Sequence, residues 1–92
     1  MFVVNMNNQV FFHNDDKDVY DMLSGWCFGW SSAEYQALAD WMWNASFGNS
    51  FSEKGVTIYC VTEQTARDLA SFYGILPAFE KEYGHSFGKM VS

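Results

Sequence analysis

Four carboxylates within seven residues are the densest group of chemically active side chains in this 92-residue chain. They belong to Asp15, Asp16, Asp18 and Asp21. Carboxylates in the first turn of a helix complement the helix dipole, and each contributes about 0.3–1 kcal/mol. This effect accounts for Asp15 and Asp16, but it accounts poorly for Asp21. Two interpretations therefore stay open, a solvated helix N-terminus and an anionic surface for a basic partner.

The charge of the chain is distributed unevenly. Residues 1–53 hold seven acidic side chains and one basic side chain, a net charge of −6, whereas residues 54–92 hold four of each. An acidic surface disfavours phosphate contacts with nucleic acid and contact with anionic membranes. We therefore expect a protein partner with a basic surface, no direct nucleic-acid binding and no membrane binding.

Metal ligation is disfavoured by spacing. Asp16-Lys17-Asp18 begins like a calcium loop, but its sixth position lacks glycine, and Cys27 stands where a bidentate glutamate is needed. Structural zinc sites use closely spaced pairs of ligands. The chain has only two cysteines and two histidines, in the order His13, Cys27, Cys60, His85, without a close pair. We predict no metal site and no cofactor.

Nucleophilic catalysis is disfavoured by the setting of the cysteines. Cys60 alternates with Val56 and Ile58 in a strand-like run, so it is expected to pack inward as a small hydrophobic side chain. Cys27 lies in an apolar segment, which disfavours the reactive thiolate. No hydrolase or nucleotide-binding motif is present, and we predict no catalytic residue and no enzymatic activity. A Cys–His pair is the enzymatic alternative, and thiol labelling would test it.

The acidic cluster is placed by a first predicted helix over residues 15–24, with Asn14 as its N-cap and Gly25 as its end. Apolar residues recur there at helical spacing. They are Val19, Met22, Leu23 and Trp26.

A second helix begins at Ser31 and Glu34, which match a capping box, and runs to about Ser46. Its buried stripe is expected to be Tyr35, Leu38, Met42 and Ala45. Trp43 falls about 140° around the helix from Leu38, on the polar side with Gln36 and Asp40. Helical periodicity thus predicts one exposed tryptophan.

The runs Phe2–Met6 and Gln9–His13 are rich in β-forming residues, and the Asn7-Asn8 pair between them favours a two-residue hairpin turn. Pairing across this turn places apolar side chains on both faces of the hairpin. Val4 opposes Phe11 on one face, and Val3 opposes Phe12 on the other. One face requires a cover of helices, and the other requires further protein or a partner. Val3, Val10 and Phe12 would then be available to a second copy of the chain in a homodimer.

The remaining elements complete the order ββααβαα. We predict a polar loop over residues 47–55, a strand over residues 56–61 and a third helix over residues 62–73. Its inner face is expected to hold Ala66, Leu69, Phe72 and Tyr73. A short fourth helix over residues 77–84 follows, and the tail either adds a strand or lies loose.

The order predicts a single α+β domain over residues 1–92. It has a small antiparallel or mixed sheet, made of the N-terminal hairpin plus the strand over residues 56–61, with about four helices on one side. The N-terminal residues lack the pattern of a signal peptide, so a cytoplasmic protein is expected, in the host cell cytoplasm if it is viral.

In size, acidity and lack of catalytic motifs, the chain resembles small phage and mobile-element inhibitors, such as anti-CRISPR proteins and anti-restriction DNA mimics. The resemblance rests on composition alone. It implies an inhibitor that blocks a basic surface of a nucleic-acid-handling protein. The expected contact residues are Asp15, Asp16, Asp18, Asp21, Asp40 and Trp43. The alternative is a homo-oligomeric structural or accessory protein without catalytic activity.

Overall fold

The computed structural model describes residues 1–26, 29–81 and 87–90, and within them it shows a small α+β fold. The elements are β1 (Phe2–Met6), β2 (Gln9–His13), α1 (Asp16–Trp26), α2 (Ser32–Asn44), β3 (Ser50–Glu53), β4 (Val56–Cys60), α3 (Glu63–Phe72), α4 (Leu76–Lys81) and β5 (Phe87–Met90). The strands form one sheet in the order β3-β4-β1-β2-β5. Every neighbouring pair is antiparallel.

The β1–β2 hairpin is confirmed in both turn and register. Asn7 and Asn8 adopt φ values of 52° and 62°, the left-handed conformation at both central positions that a type I′ turn requires. Val4 lies opposite Phe11, and Val3 lies opposite Phe12. Apolar side chains therefore occupy both faces of the sheet.

The first face of the sheet packs against α1 and α2. Alternate residues of β1 and β4, among them Val4 and Ile58, point to this side and meet Leu23 and Leu38 from the two helices. Cys60 is also buried there, as its alternation predicts.

The second face is covered by α3 and α4. Val3, Val10 and Phe12 are each no more than 1% exposed. They form a second apolar core with helix residues that include Ala66 and Phe79. The prediction that all helices lie on one side is therefore wrong. Of the two covers that the sequence left open for the second hairpin face, further protein and a partner, the structure shows further protein. The chain supplies its own cover, because α3 and α4 follow β4 and return across the sheet.

Residues 47–55, which were predicted as a polar loop, contain the strand β3. β3 pairs with β4 through a turn in which Lys54 and Gly55 have φ values of 45° and 84°. Phe51 is the one apolar side chain of β3, and it joins the first core. Because serines flank Phe51, the alternation of apolar and polar residues that is typical of a strand was not evident in the sequence.

Two helix assignments change in detail. The cap of α1 is Asp15 rather than Asn14, because the backbone N–H of Asp18 donates to Asp15 Oδ1 at 2.9 Å. α1 also continues through Gly25 to Trp26, whose side chain lies outside the described part of the chain. Phe72 was predicted on the inner face of α3, yet it is 82% exposed. The reason is geometric, since Phe72 lies about 120° around the helix from Ala66.

The capping box of α2 is confirmed. The N–H of Glu34 donates to Ser31 Oγ at 3.3 Å, and the N–H of Ser31 donates to Glu34 Oε1 at 3.4 Å. Lys54 Nζ lies 2.9 Å from Glu34 Oε1, and this hydrogen bond holds the pKa of Glu34 below its usual range. The same box therefore fixes the β3–β4 turn against the start of α2.

Candidate functional site

A groove of about 410 Å³ lies between α1 and α2, the two helices that cover the first face of the sheet. It is called the α1–α2 groove below. Its lining consists of Asp16, Lys17, Tyr20, Asp21, Ala39, Met42 and Trp43. Three of these residues, Asp16, Asp21 and Trp43, were predicted as contact residues from the sequence.

The wall contributed by α1 follows from helical spacing. Asp16 and Tyr20 are four residues apart, as are Lys17 and Asp21, so both pairs lie on one flank of the helix. Val19 on the opposite flank is fully buried, which turns this acidic flank outward. Lys17 Nζ lies 3.3 Å from Asp21 Oδ2, but the two side chains are 81% and 60% exposed. Such a pair contributes at most about 1 kcal/mol, so a partner can replace it readily.

The wall contributed by α2 presents Trp43, whose side chain is 82% exposed. This confirms the exposed tryptophan that the periodicity of α2 predicts. Leu38 and Met42 anchor the helix to the core, and Ala39 lies one turn before Trp43. The small side chain of Ala39 leaves open space beside the indole ring.

Aromatic contacts hold the two walls together. The hydroxyl of Tyr35 on α2 donates to the carbonyl oxygen of Leu23 on α1 at 3.3 Å. The ring of Tyr35 lies 5.6 Å from the ring of Tyr20 and 5.3 Å from that of Trp30. Aromatic pairs at these distances stabilise by roughly 0.5–1.5 kcal/mol each beyond their burial. Packed side chains of the two helices, rather than a loop, therefore hold the walls of the groove in position.

The other predicted contact residues lie outside the groove. Asp15 caps α1, and Asp18 is half-buried in its first turn. Asp40 is exposed on α2, where its Oδ1 accepts a hydrogen bond from Gln36 Nε2 at 2.9 Å. Asp16, Asp21 and Trp43 line the groove together, whereas Asp15, Asp18 and Asp40 are not part of its lining.

The negative charges of Asp15 and Asp18 instead act on a buried histidine. His13 is 4% exposed, and its Nε2 lies 3.3 Å from the sulfur of Met22. Burial lowers the pKa of His13, while the negative charges of Asp18 and Asp15 oppose that shift. The ring is therefore neutral near pH 7, and it packs as a buried side chain of the fold.

Tyr20 and Lys17 line the groove but were missed in the sequence. Both stand four residues from a predicted contact carboxylate, so the helical spacing of charged and aromatic residues on one flank was the available signal. Ala39 had no such signal, because its role depends on how closely α1 approaches α2.

Only some of the cysteines and histidines considered for metal binding or catalysis lie in the described part of the chain. Cys60 is a buried free thiol, whereas Cys27 and His85 lie outside the described residues. Among residues 1–26, 29–81 and 87–90, no group of three or more His, Cys, Asp and Glu side chains is arranged to hold a metal ion. Over the same ranges, no helix is both long enough and apolar enough to cross a membrane.

Comparison with known proteins does not change this description. No family model, no curated protein and no solved structure matches the chain. The site is therefore interpreted from its own chemistry.

Proposed function

We propose that the protein is a protein-binding module that docks on a basic surface through the α1–α2 groove. The observation that supports this proposal most strongly is the placement of Trp43, 82% exposed, in one groove with the carboxylates of Asp16 and Asp21. An aromatic anchor beside charged groups is typical of binding hot spots.

The charges of the first half of the chain favour a cationic partner. The net charge of residues 1–53 is −6, and Lys17 is their only lysine or arginine. Lys17 already lies beside Asp21, and its exposure leaves it free to move away. Complementary charge raises the rate of association, and burial of the tryptophan slows release.

The best-supported role for such a module is inhibition. A surface that is basic enough to complement the groove is typical of proteins that bind nucleic acid. An acidic domain docked there would occlude the nucleic acid, in the manner of phage and mobile-element counter-defence inhibitors. We place this activity in the cytoplasm. The homo-oligomer alternative receives no support from Val3, Val10 and Phe12, because α3 and α4 bury them.

The test is capture of the partner with a groove variant. Asp16→Lys, Asp21→Lys and Trp43→Ala together reverse the charge of the groove and remove its anchor. The immobilised wild-type chain should capture a protein from its native cells, identified by mass spectrometry. The groove variant should not capture it.

A control variant of matched composition separates docking from general acidity. Asp68→Lys, Glu80→Lys and Phe72→Ala make the same charge change on α3 and α4, and Phe72 is exposed to the same 82% as Trp43. The control variant should capture the partner as the wild-type chain does. Equal capture by the groove variant would contradict the proposed docking site. An unchanged nucleic-acid activity of the captured partner in the complex would contradict inhibition.

A further inference from the structure

A second concave surface lies on the opposite side of the sheet, where α3 does not fully cover β4. It is a cleft of about 260 Å³, called the tyrosine cleft below. Its apolar part comes from Val3, Val61 and Leu69, and its polar groups include those of Asn5, Tyr59 and Tyr73. The described residues that line it include no charged side chain.

Strand alternation explains why these groups converge. Val3 and Asn5 are two residues apart in β1, and Tyr59 of β4 is paired with Val3. All three therefore point to the side of the sheet that carries α3. Tyr73, at the end of α3, closes the cleft from above.

The polar groups of the tyrosine cleft are available to a ligand. Within the described part of the chain, the amide of Asn5 and the hydroxyls of Tyr59 and Tyr73 form no hydrogen bond with another residue. An apolar floor with a few convergent polar groups is the usual composition of a small-molecule site. The absence of lysine and arginine from the described lining favours an uncharged ligand.

The size and shape of the surroundings favour a ligand in two parts. A neighbouring groove of about 320 Å³ shares Asn5 and Tyr73 with the tyrosine cleft and extends to Asn7, Asn8 and Gly55 at the two hairpin turns. One half of the site is therefore aromatic and apolar, and the other half is polar. A ligand with a flat ring and a hydroxylated part matches this division.

We propose that the tyrosine cleft binds an uncharged nucleoside, with the base in the cleft and the sugar in the neighbouring groove. Tyrosine rings stack on bases. The asparagine amide offers a donor and an acceptor side by side, which matches the edge of adenine. This site is independent of the α1–α2 groove, because the two lie on opposite sides of the sheet.

The experiment is an NMR titration of the full, ¹⁵N-labelled chain with adenosine as the probe. We expect saturable shifts in amide resonances of residues 57–61 and 69–73. Tyr59→Leu keeps an apolar side chain on the strand and removes the ring, and it should weaken binding about tenfold or more. Asn5→Ala tests the amide in the same way. Phe47→Leu is the control, because Phe47 is an exposed aromatic side chain (68%) that lines neither the tyrosine cleft nor the neighbouring groove, and it should leave the affinity unchanged.

The charge of the ligand supplies a second test in the same titration. Adenosine monophosphate and a short oligoadenylate should bind no more tightly than adenosine, because the described lining holds no cation. The proposal is overturned if adenosine gives no saturable shift at millimolar concentration, or if Tyr59→Leu and Asn5→Ala both bind like the wild-type chain. Tighter binding of the oligoadenylate would also overturn it, in favour of a nucleic-acid site.

Discussion

The packing of α3 and α4 on the second face can be tested with two phenylalanines that the structure treats in opposite ways. Phe79 on α4 is 2% exposed, and its ring lies 5.1 Å from that of Phe12 in an edge-to-face arrangement. Phe72 on α3 is 82% exposed. The same substitution, phenylalanine to alanine, should therefore have very different consequences at the two positions.

Phe79→Ala should lower the free energy of unfolding by about 3–5 kcal/mol, the usual range for a buried phenylalanine. A domain of this size has a total stability of roughly 5 kcal/mol, so the variant should be close to unfolding in water. Phe72→Ala should change stability by less than about 0.5 kcal/mol, because little area is buried and alanine is the better helix former.

Urea unfolding followed by far-ultraviolet circular dichroism at pH 7 measures both values. With a slope of about 1 kcal/mol per molar urea, the midpoint of Phe79→Ala should fall by about 3–5 M, and that of Phe72→Ala should barely move. Phe79→Leu provides an intermediate that stays folded. Equal losses for the two alanine variants would refute the orientation of α3 and the cover of the second face.

Three further predictions concern single positions. The pKa of His13 is lowered in the fold, so the unfolded chain binds the proton more readily. Stability should therefore fall as the pH drops from 7 through about 6.5 towards the folded pKa. Thermal melts of the wild-type chain should show this fall, and His13→Leu should lack the contribution of the histidine to it. Ser31→Ala removes the cap of α2 and should cost about 1 kcal/mol in urea unfolding, against no measurable loss for the exposed Ser24→Ala. Gly55→Ala should cost about 1–2 kcal/mol because φ is 84° there, although no atom lies within 4 Å of an added Cβ; an unchanged midpoint would contradict the left-handed turn.

Local features of the fold were predictable because neighbouring residues determine them. The Asn7-Asn8 pair sets its own turn, and the turn sets the register of Val3 and Val4. The capping box at Ser31 and Glu34 likewise depends on residues that are three apart.

The parts that were missed depend on distant segments. Nothing near Phe12 in the sequence indicates that Phe79 covers it. The sequence therefore left the cover open between further protein and a partner. β3 was missed because its pairing with β4 is tertiary and only Phe51 marks it. The exposure of Trp43 was predictable from the periodicity of α2 alone. Its proximity to Asp16 and Asp21 was not, because it depends on how α1 packs against α2.

The affinity of the captured partner for the groove variant, which combines Asp16→Lys, Asp21→Lys and Trp43→Ala, tests the proposed docking site most directly. Loss of a hot-spot aromatic together with two complementary charges predicts a Kd weakened by about 100-fold or more. The control variant on α3 and α4 should stay within about threefold of the wild-type value, since its three residues lie on the other side of the sheet from the groove. A groove variant that binds as tightly as the wild-type chain, or a control variant that loses as much affinity, would contradict docking through the α1–α2 groove.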